Sequence, residues 1–288
     1  MATDNYEARI LRVCAALHHG SLLIGAGAGL SAAAGLDYSG PAFRREFADY
    51  IQEYGFQDLY SSGFYEFPTE EERWARWARH INYTRYRPQA LPLYRLLFEL
   101  AQSLDYFVIT TNVDGQFIKA GFSPQRLFEV QGNYGLMQCA KGCHPKVYSN
   151  EKLVEEMLKK ISGLAIPPEL VPHCPVCGGY MDVNLRKNNY FVEDAVWHLS
   201  ANRYQEFLKR YDRNYIVLLE LGVGFNTPGI IRWPFEEFVF ENPRALLVRI
   251  NRDKQALPKA IVERTVTFQE SIERVIGSLI NNIGKKAI

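Results

Sequence analysis

Three stretches of this chain carry residue types that could do chemistry. The first, Ser21 to Asp37, reads SLLIGAGAGLSAAAGLD. Its apolar run Leu22 to Ile24 predicts a buried strand, the glycines Gly25, Gly27 and Gly29 a tight turn, and Leu30 to Ala34 the start of a helix. Without a Cβ, the Cα atoms of Gly25 and Gly27 can lie against a ligand, and the free N–H groups of a helix N-terminus attract an anion. A pyrophosphate is held this way between a strand and a helix. The spacing G-A-G-A-G-L-S is close to, but not the same as, G-x-G-x-x-G. Glycines that merely ease helix-on-strand packing are the alternative reading. The second stretch is Asn112-Val113-Asp114-Gly115, which follows the β-branched, apolar run Tyr106 to Thr111. Polar residues just past the C-terminal end of a parallel strand are where open α/β sheets bind ligands. An Asx turn capping the next helix would use Asn112 and Asp114 equally well.

The third stretch holds Cys139-x3-Cys143 and Cys174-x2-Cys177. In a reducing compartment this spacing suggests zinc more than disulfides. Two thiolate pairs brought together make a closed tetrahedral shell with no open position, so the zinc would be structural. His144 and His173 adjoin cysteines and are spare ligands. Cys14 stands alone in an amphipathic segment and reads as a small buried hydrophobe.

The elements that must position these residues follow from periodicity. Helices are expected over Asp4 to His19, with Asp4 and Glu7 as a capping box, over Thr69 to Tyr86 with a second box at Thr69 and Glu72, and over Leu91 to Leu104. Trp74, Trp77, Ala78 and Ile81 repeat at helical spacing and read as core. Further helices are expected at Gln116 to Ala120, Asn150 to Ile161, Trp197 to Tyr211, Phe268 to Asn282 and, broken by Pro234, Pro228 to Phe240. Strands are expected at Leu127 to Val130, Tyr215 to Leu221, Arg244 to Ile250 and Ala260 to Thr267. Strands alternating with helices, several ending in Gly, Asn or Asp, predict a parallel sheet covered on both faces. Residues 133–190 break the pattern and read as a small inserted module. Residues 39–90 begin with an aromatic-rich stretch lacking clear periodicity, which suits a cover of short helices and loops over a ligand.

The chain has 288 residues, 47% of them hydrophobic, so a substantial core can form. A net charge of +1 with no long basic run argues against a nucleic-acid partner. The polar N-terminus is unlike a signal peptide, and the most apolar window, Leu22 to Leu36, is too short and glycine-rich for a membrane span. The expectation is a cytoplasmic protein.

The order of motifs resembles the sirtuins. GAGAGLSAAAGLD is similar to their GAGxS-x-x-x-GI-x-D element, TTNVDGQFIKAG to their TQNIDGLHxxAG element, and Gln131-Gly132 falls where they carry His-Gly. The cysteine pairs follow in order. Gly222-Val223-Gly224-Phe225 sits at their GTSL position and Asn251 at their late Asn. The resemblance implies a Rossmann-like NAD-binding domain over 1–132 and 191–288, a zinc module over 133–190, and NAD cleavage in the cleft between. It implies that Gly25, Ala26, Gly27, Gly29, Leu30 and Asp37 lie along the dinucleotide and that Tyr38 covers the nicotinamide pocket. Asn112 and Asp114 would hold the nicotinamide end, and Gly222, Val223, Gly224 and Asn251 the adenosine side. Glu193 and Asp194 fall where the family binds its peptide substrate.

The departures from the family pattern carry the functional expectation. The catalytic His is Gln131. Sirtuin deacylation needs a base after nicotinamide leaves, and imidazole serves because it titrates near neutrality. An amide offers a carbonyl acceptor and an NH2 donor but accepts no proton. Cleavage of the nicotinamide bond does not itself need that base. Asn112, Asp114 and Gln131 as catalytic residues therefore suit ADP-ribosyl transfer better than deacylation, with a deacylase or a non-catalytic NAD or ADP-ribose sensor as alternatives. The pattern resembles the macrodomain-linked, or class M, sirtuins. That resemblance implies a protein ADP-ribosyltransferase acting on a lipoylated carrier of the glycine-cleavage H type, with a macrodomain ADP-ribosyl hydrolase as the opposing activity.

Overall fold

The computed structural model describes residues 5–36, 38–225, 227–253 and 256–283. Its strands are β1 (Ser21–Ala26), β2 (Asp105–Thr110), β3 (Leu127–Glu129), β4 (Gly132–Cys139), β5 (Val147–Ser149), β6 (Met181–Leu185), β7 (Ile216–Leu221), β8 (Ala245–Ile250) and β9 (Thr265–Phe268). Six of them form one parallel sheet in the order β3-β2-β1-β7-β8-β9. The chain winds outward from β1 to β3, then returns and winds the other way from β7 to β9. The reversal lies between β1 and β7, which makes their C-terminal ends the natural crevice of the sheet.

Both faces of the sheet are covered, which is why its strands are apolar throughout rather than alternating. Leu22, Ile24, Val108 and Val248 pack on one face against helices Tyr6–Leu17, Pro92–Ala101 and Ile272–Ile283. Leu23, Phe107, Ile109 and Leu218 pack on the other against helices Ala195–Arg210 and Arg232–Glu241. The remaining strands form an antiparallel sheet, β5-β4-β6. With helix Glu151–Lys160 it encloses a second core, which the Trp74, Trp77, Ala78 and Ile81 face of helix Glu70–Ile81 completes. The Trp stripe is therefore core, but of the small module rather than of the main sheet. Phe43, Phe47, Tyr50, Phe56 and Tyr83 form a separate aromatic cluster in the region expected to be a cover.

The local signals acted much as their chemistry dictates, with instructive differences. Thr69 caps helix Glu70–Ile81 by accepting from the Glu72 amide at 3.2 Å. That helix then widens into a π-turn, Asn82–Tyr86, closed by the Arg87 amide on the Asn82 carbonyl. Asp4 lies outside the described residues; the observed cap of the first helix is Asn5, whose side chain accepts from the Glu7 amide. Pro234 does not break helix Arg232–Glu241, because it sits in the first turn, where no N–H donor is needed. The expected strand at Ala260 to Thr267 is half wrong. Lys259–Arg264 is a 3-10 helix, held by the Thr265 hydroxyl on the Ile261 carbonyl, and only then does β9 begin. Among the described residues no helix is long and apolar enough to cross a membrane.

A buried ion network lies in the sheet beside the crevice. Glu220 on β7 takes a bidentate contact from Arg249 on β8, at 2.8 Å to each oxygen, and Arg232 approaches at 3.4 Å. Glu236 accepts from Arg249 as well. All three of Glu220, Arg232 and Arg249 are at most 2% exposed. Removing one partner of such a set leaves a buried charge uncompensated. Glu220→Gln is therefore expected to lower stability by about 3–5 kcal/mol, read from urea unfolding; a loss under about 1 kcal/mol, the size of a surface pair, would contradict this reading.

Candidate active site

The loops after β1 and β7 meet backbone to backbone. The Gly27 amide donates to the Leu221 carbonyl at 3.0 Å and the Gly29 amide to the Gly222 carbonyl at 2.9 Å. A Cβ on Gly27 would lie 2.7 Å from the Gly222 oxygen and 2.8 Å from the Val223 Cα, and one on Gly29 would lie 2.7 Å from the Gly222 Cα. Gly222 itself has φ +58, a conformation L side chains rarely adopt. These three glycines thus line a cleft of about 830 Å³ with bare backbone, together with Ala28, Val223, Gly224, Ile250 and Asn251. The shape is that of a dinucleotide site at a topological switch point. Any side chain at Gly27 or Gly29 would strike the opposite loop.

The other residues of the glycine-rich stretch have different placements. Gly25 faces away, and a Cβ there would meet Ile231 and Phe235 of the adjoining helix at 2.5 and 2.7 Å. Its absence of a side chain serves helix-on-strand packing, the alternative reading of the motif. Ala26 and Leu30 are buried in the core. Asp37 lies outside the described residues. Asn251 lines the cleft but uses its NH2 on the Val223 carbonyl at 2.9 Å, so it shapes the loop after β7. Arg232 reaches that same carbonyl at 3.3 Å.

A polar cluster closes the far side of the β1 loop. Asp114 is 2% exposed and accepts from the Ser31 hydroxyl at 2.6 Å, from Tyr94 at 3.4 Å, and from the Gln116 amide at 2.9 Å. It therefore makes an Asx turn onto the first residue of the short helix Gln116–Lys119, whose N-cap is Gly115, and stands as a buried acceptor. Burial pushes its carboxyl upward, while the Ser31 and Gln116 hydrogen bonds and the charge of Arg85 pull it back. Asn112 donates to the Gly27 carbonyl at 3.0 Å, which ties the end of β2 to the glycine turn. Tyr94 was not singled out by sequence, because a tyrosine at helical spacing in Leu91 to Leu104 looks like core. Only its hydroxyl, which also receives the Asn112 amide at 3.4 Å, reveals its second role.

Gln131 follows β3 and is half-buried. Its Oε1 is buried and has no protein partner among the described residues. The Tyr134 amide donates to the Val113 carbonyl at 3.0 Å, so the segment after Gln131 runs alongside Asn112–Asp114. Tyr38 is also half-buried; its ring lies 6.0 Å from that of His80, and its carbonyl accepts from the Leu59 amide. Glu193 pairs with Arg186, and Asp194 caps helix Ala195–Arg210 by accepting from the Trp197 amide, which accounts for both acids structurally. The open backbone cradle fits the pyrophosphate of a bound dinucleotide; Gln131 is not among the residues lining it.

The four thiols converge in the small module. Cys139 and Cys177 lie 3.7 Å apart, Cys143 and Cys174 3.6 Å, and all four sulfurs fall within 4.8 Å of one another. Zn–S bonds of about 2.3 Å place tetrahedral sulfur pairs about 3.8 Å apart, so the residues fit the metal. His144 Nδ1 stands 3.1 Å from the Cys143 sulfur, but its Nε2 is engaged by Tyr148, and His173 is turned to the Gly178 carbonyl. The metal would be held by thiolates alone and would brace β4 against the loop before β6.

Strand order and the bare-backbone cleft make this a dinucleotide-binding protein of the doubly wound class. The Sir2 family model matches residues 27–210, and the chain belongs to that family, whose members use NAD. It is similar to a protein ADP-ribosyltransferase of Staphylococcus aureus (strain Mu50 / ATCC 700699), 33% identical over 91% of this chain and 84% of the relative. It is also similar to a probable bifunctional ADP-ribose hydrolase/ADP-ribosyltransferase of Fusarium oxysporum f. sp. cubense, 34% identical over 82% of this chain but only 41% of that longer protein. An NAD-dependent protein deacylase of Leptospira interrogans is 26% identical over 89% of this chain and 90% of the relative. Among solved structures, a Sir2 homologue in complex with NAD shares the fold, with a TM-score of 0.58 and 17% identity over 95% of this chain and 93% of the other.

For such a module, metal-binding free energy is folding free energy. Cys174→Ser is expected to lower zinc content, read by elemental analysis, and melting temperature together. Full stability with the zinc lost would contradict a bracing role.

Proposed function

We propose that this protein cleaves NAD and transfers ADP-ribose to a protein acceptor. The observation that carries the reading is Gln131, an orphaned amide oxygen standing where the deacylating members of the family hold a proton-accepting imidazole. When bound, NAD supplies a ribose carbon whose bond to nicotinamide breaks with the electron pair leaving on nicotinamide; the acceptor's heteroatom forms the new bond and releases its proton to solvent. The chain's part is to orient and to exclude water. Asn112 anchors the turn that faces the ribose, and Asp114 offers a buried acceptor for the nicotinamide end. Gln131 accepts from a ribose hydroxyl, and Tyr38 covers the pocket. Gly27, Gly29, Gly222 and Gly224 admit the pyrophosphate and the adenosine side.

The Staphylococcus and Fusarium relatives are named as ADP-ribosyltransferases, which supports transfer. The resemblance to class M sirtuins supports a lipoylated glycine-cleavage-H-like carrier as the acceptor, and a macrodomain ADP-ribosyl hydrolase as the opposing activity; the Fusarium relative's name joins hydrolase and transferase in one protein. The thiolate zinc set suits a reducing compartment, which supports a cytoplasmic location. The domain reading that goes with this function takes 1–132 and 191–288 as the NAD-binding part, 133–190 as the zinc module and 39–90 as the cover.

With labelled NAD, the wild-type protein is expected to label the lipoylated carrier and to leave the unlipoylated carrier unlabelled. Asn112→Ala should lower nicotinamide release about 10²-fold, the cost of losing one positioned polar contact in a transition state. Gln131→Ala should lower transfer about tenfold, the worth of one hydrogen bond. Unchanged turnover in both variants would move the active site elsewhere.

A further inference from the structure

Arg85 stands out among the charged residues that the site described above does not use. It belongs to the π-turn Asn82–Tyr86, a local widening of the kind often found at functional sites. The turn carries its guanidinium into a slot between two glycines. A Cβ built on Gly115, the residue after Asp114, would lie 2.7 Å from the Arg85 Cζ, and one on Gly135 would lie 2.5 Å from its Nε. In both places the guanidinium occupies the space that a side chain would need, so either substitution would have to displace it. Gly135 lies in β4 where its pairing with β6 is irregular, between Gly132 and Met137. The backbone of the π-turn is fixed from the same side. Lys119, at the end of the short helix that follows Asp114 and Gly115, donates to the carbonyls of Arg85 and Pro88. Gln116 Oε1 accepts from the Leu91 amide at 2.9 Å.

We propose that Arg85 is a positioning residue for NAD cleavage: lodged between Gly115 and Gly135, it locks the Asn112–Gly115 turn to the segment after Gln131 and turns one positive charge toward both Asp114 and Glu129. The inference rests on the reading that these two segments form the catalytic site.

The charges around the slot give the lock its chemical consequence. Asp114 is faced by the hydroxyls of Ser31, Tyr94, Tyr38 and Tyr134, by Glu129, and by the cations Arg85 and Lys119. Lys119 has its ammonium on two carbonyls, which leaves Arg85 as the stronger influence on the carboxylate. Glu129, at the end of β3, accepts from Asn133 at 2.6 Å. Burial pushes its carboxyl up to about 7, against the pull of Arg85 and Asn133. The charge of Arg85 thus acts on both carboxyls from beyond ion-pair distance. Without that cation both would hold a proton at higher pH, and a protonated Asp114 would lose acceptor capacity at the nicotinamide end.

The test compares Arg85→Gln, Arg85→Lys and Gly135→Ala. Gly135 has no positive φ, so alanine there adds no backbone strain and acts by displacing the guanidinium. Two readouts are followed: the carboxyl titrations of Asp114 and Glu129 by 13C NMR in the whole protein without NAD, and the pH profile of nicotinamide release. Arg85→Gln is expected to raise both carboxyl midpoints and to move the acid limb of the profile up by about 1 pH unit. Nicotinamide release on that limb then falls about tenfold at a fixed pH. Gly135→Ala should produce a shift of the same sign, and the double variant should be no worse than Arg85→Gln alone, as for groups acting as one unit. Arg85→Lys should recover most of the shift through its charge. Midpoints and acid limb unmoved in Arg85→Gln, with only a lower melting temperature, would overturn the proposal and leave Arg85 a structural residue. Additive effects in the double variant would overturn the lock. A wild-type protein that releases no nicotinamide at any pH would defeat the functional reading instead, and the carboxyl titrations would still decide the role of Arg85.

Discussion

The contact on which the rest depends is the backbone-on-backbone approach of Gly27 and Gly29 to Gly222. Two strands adjacent in the sheet but remote in sequence, β1 and β7, send their following loops into van der Waals contact. No side chain fits between them, so on that wall the cleft presents bare backbone. Everything else on that side of the molecule holds this contact in place. Asn251 and Arg232 both donate to the Val223 carbonyl, and the buried charges of Glu220 and Arg249 fix β7 to β8. Gly25 lets the helix that carries Arg232 lie close on β1. The cleft is thus a property of the sheet's chain reversal more than of one motif.

The second half of the site is built by a different logic. Asn112 spends its amide on the Gly27 carbonyl and Asp114 takes three donors, so the turn after β2 is rigid before any ligand arrives. Preorganised polar groups in a dry pocket cost no rearrangement when charge develops. Gln131 is the exception: its Oε1 has no partner among the described residues. A buried acceptor left open costs stability unless something fills it, and a substrate hydroxyl is the natural occupant. On the proposed reading the arrangement orients a substrate without offering it a base, which separates bond cleavage from the proton transfer that deacylation requires.

Much of this was legible in the residues because the signals are local. Glycines after an apolar run, Asn-Val-Asp-Gly after a β-branched strand, and paired cysteines each act within a few residues, and the alternation of elements predicts the parallel sheet. What escaped was set by distant partners. Gly25 looks like a ligand-facing glycine until Ile231 and Phe235 are seen against it. Asn251 lines the cleft as expected, but its hold on the Val223 carbonyl comes from the fold and not from the sequence. Tyr94 and Arg85 sit in unremarkable helical contexts, and only the fold brings them to Asp114. The first half of the expected strand Ala260 to Thr267 misreads because its β-branched content is local, while the 3-10 turn that wins there is closed by the Thr265 hydroxyl.

The central claim is that Gln131 permits NAD cleavage for transfer and withholds the base that deacylation needs. The most direct measurement supplies the wild-type protein with NAD and an acetyl-lysine peptide and quantifies O-acetyl-ADP-ribose by mass spectrometry. The expected result is a trace or none, since a positioned base contributes about 10²–10⁴-fold in rate. Robust formation of O-acetyl-ADP-ribose across many peptides would contradict the account.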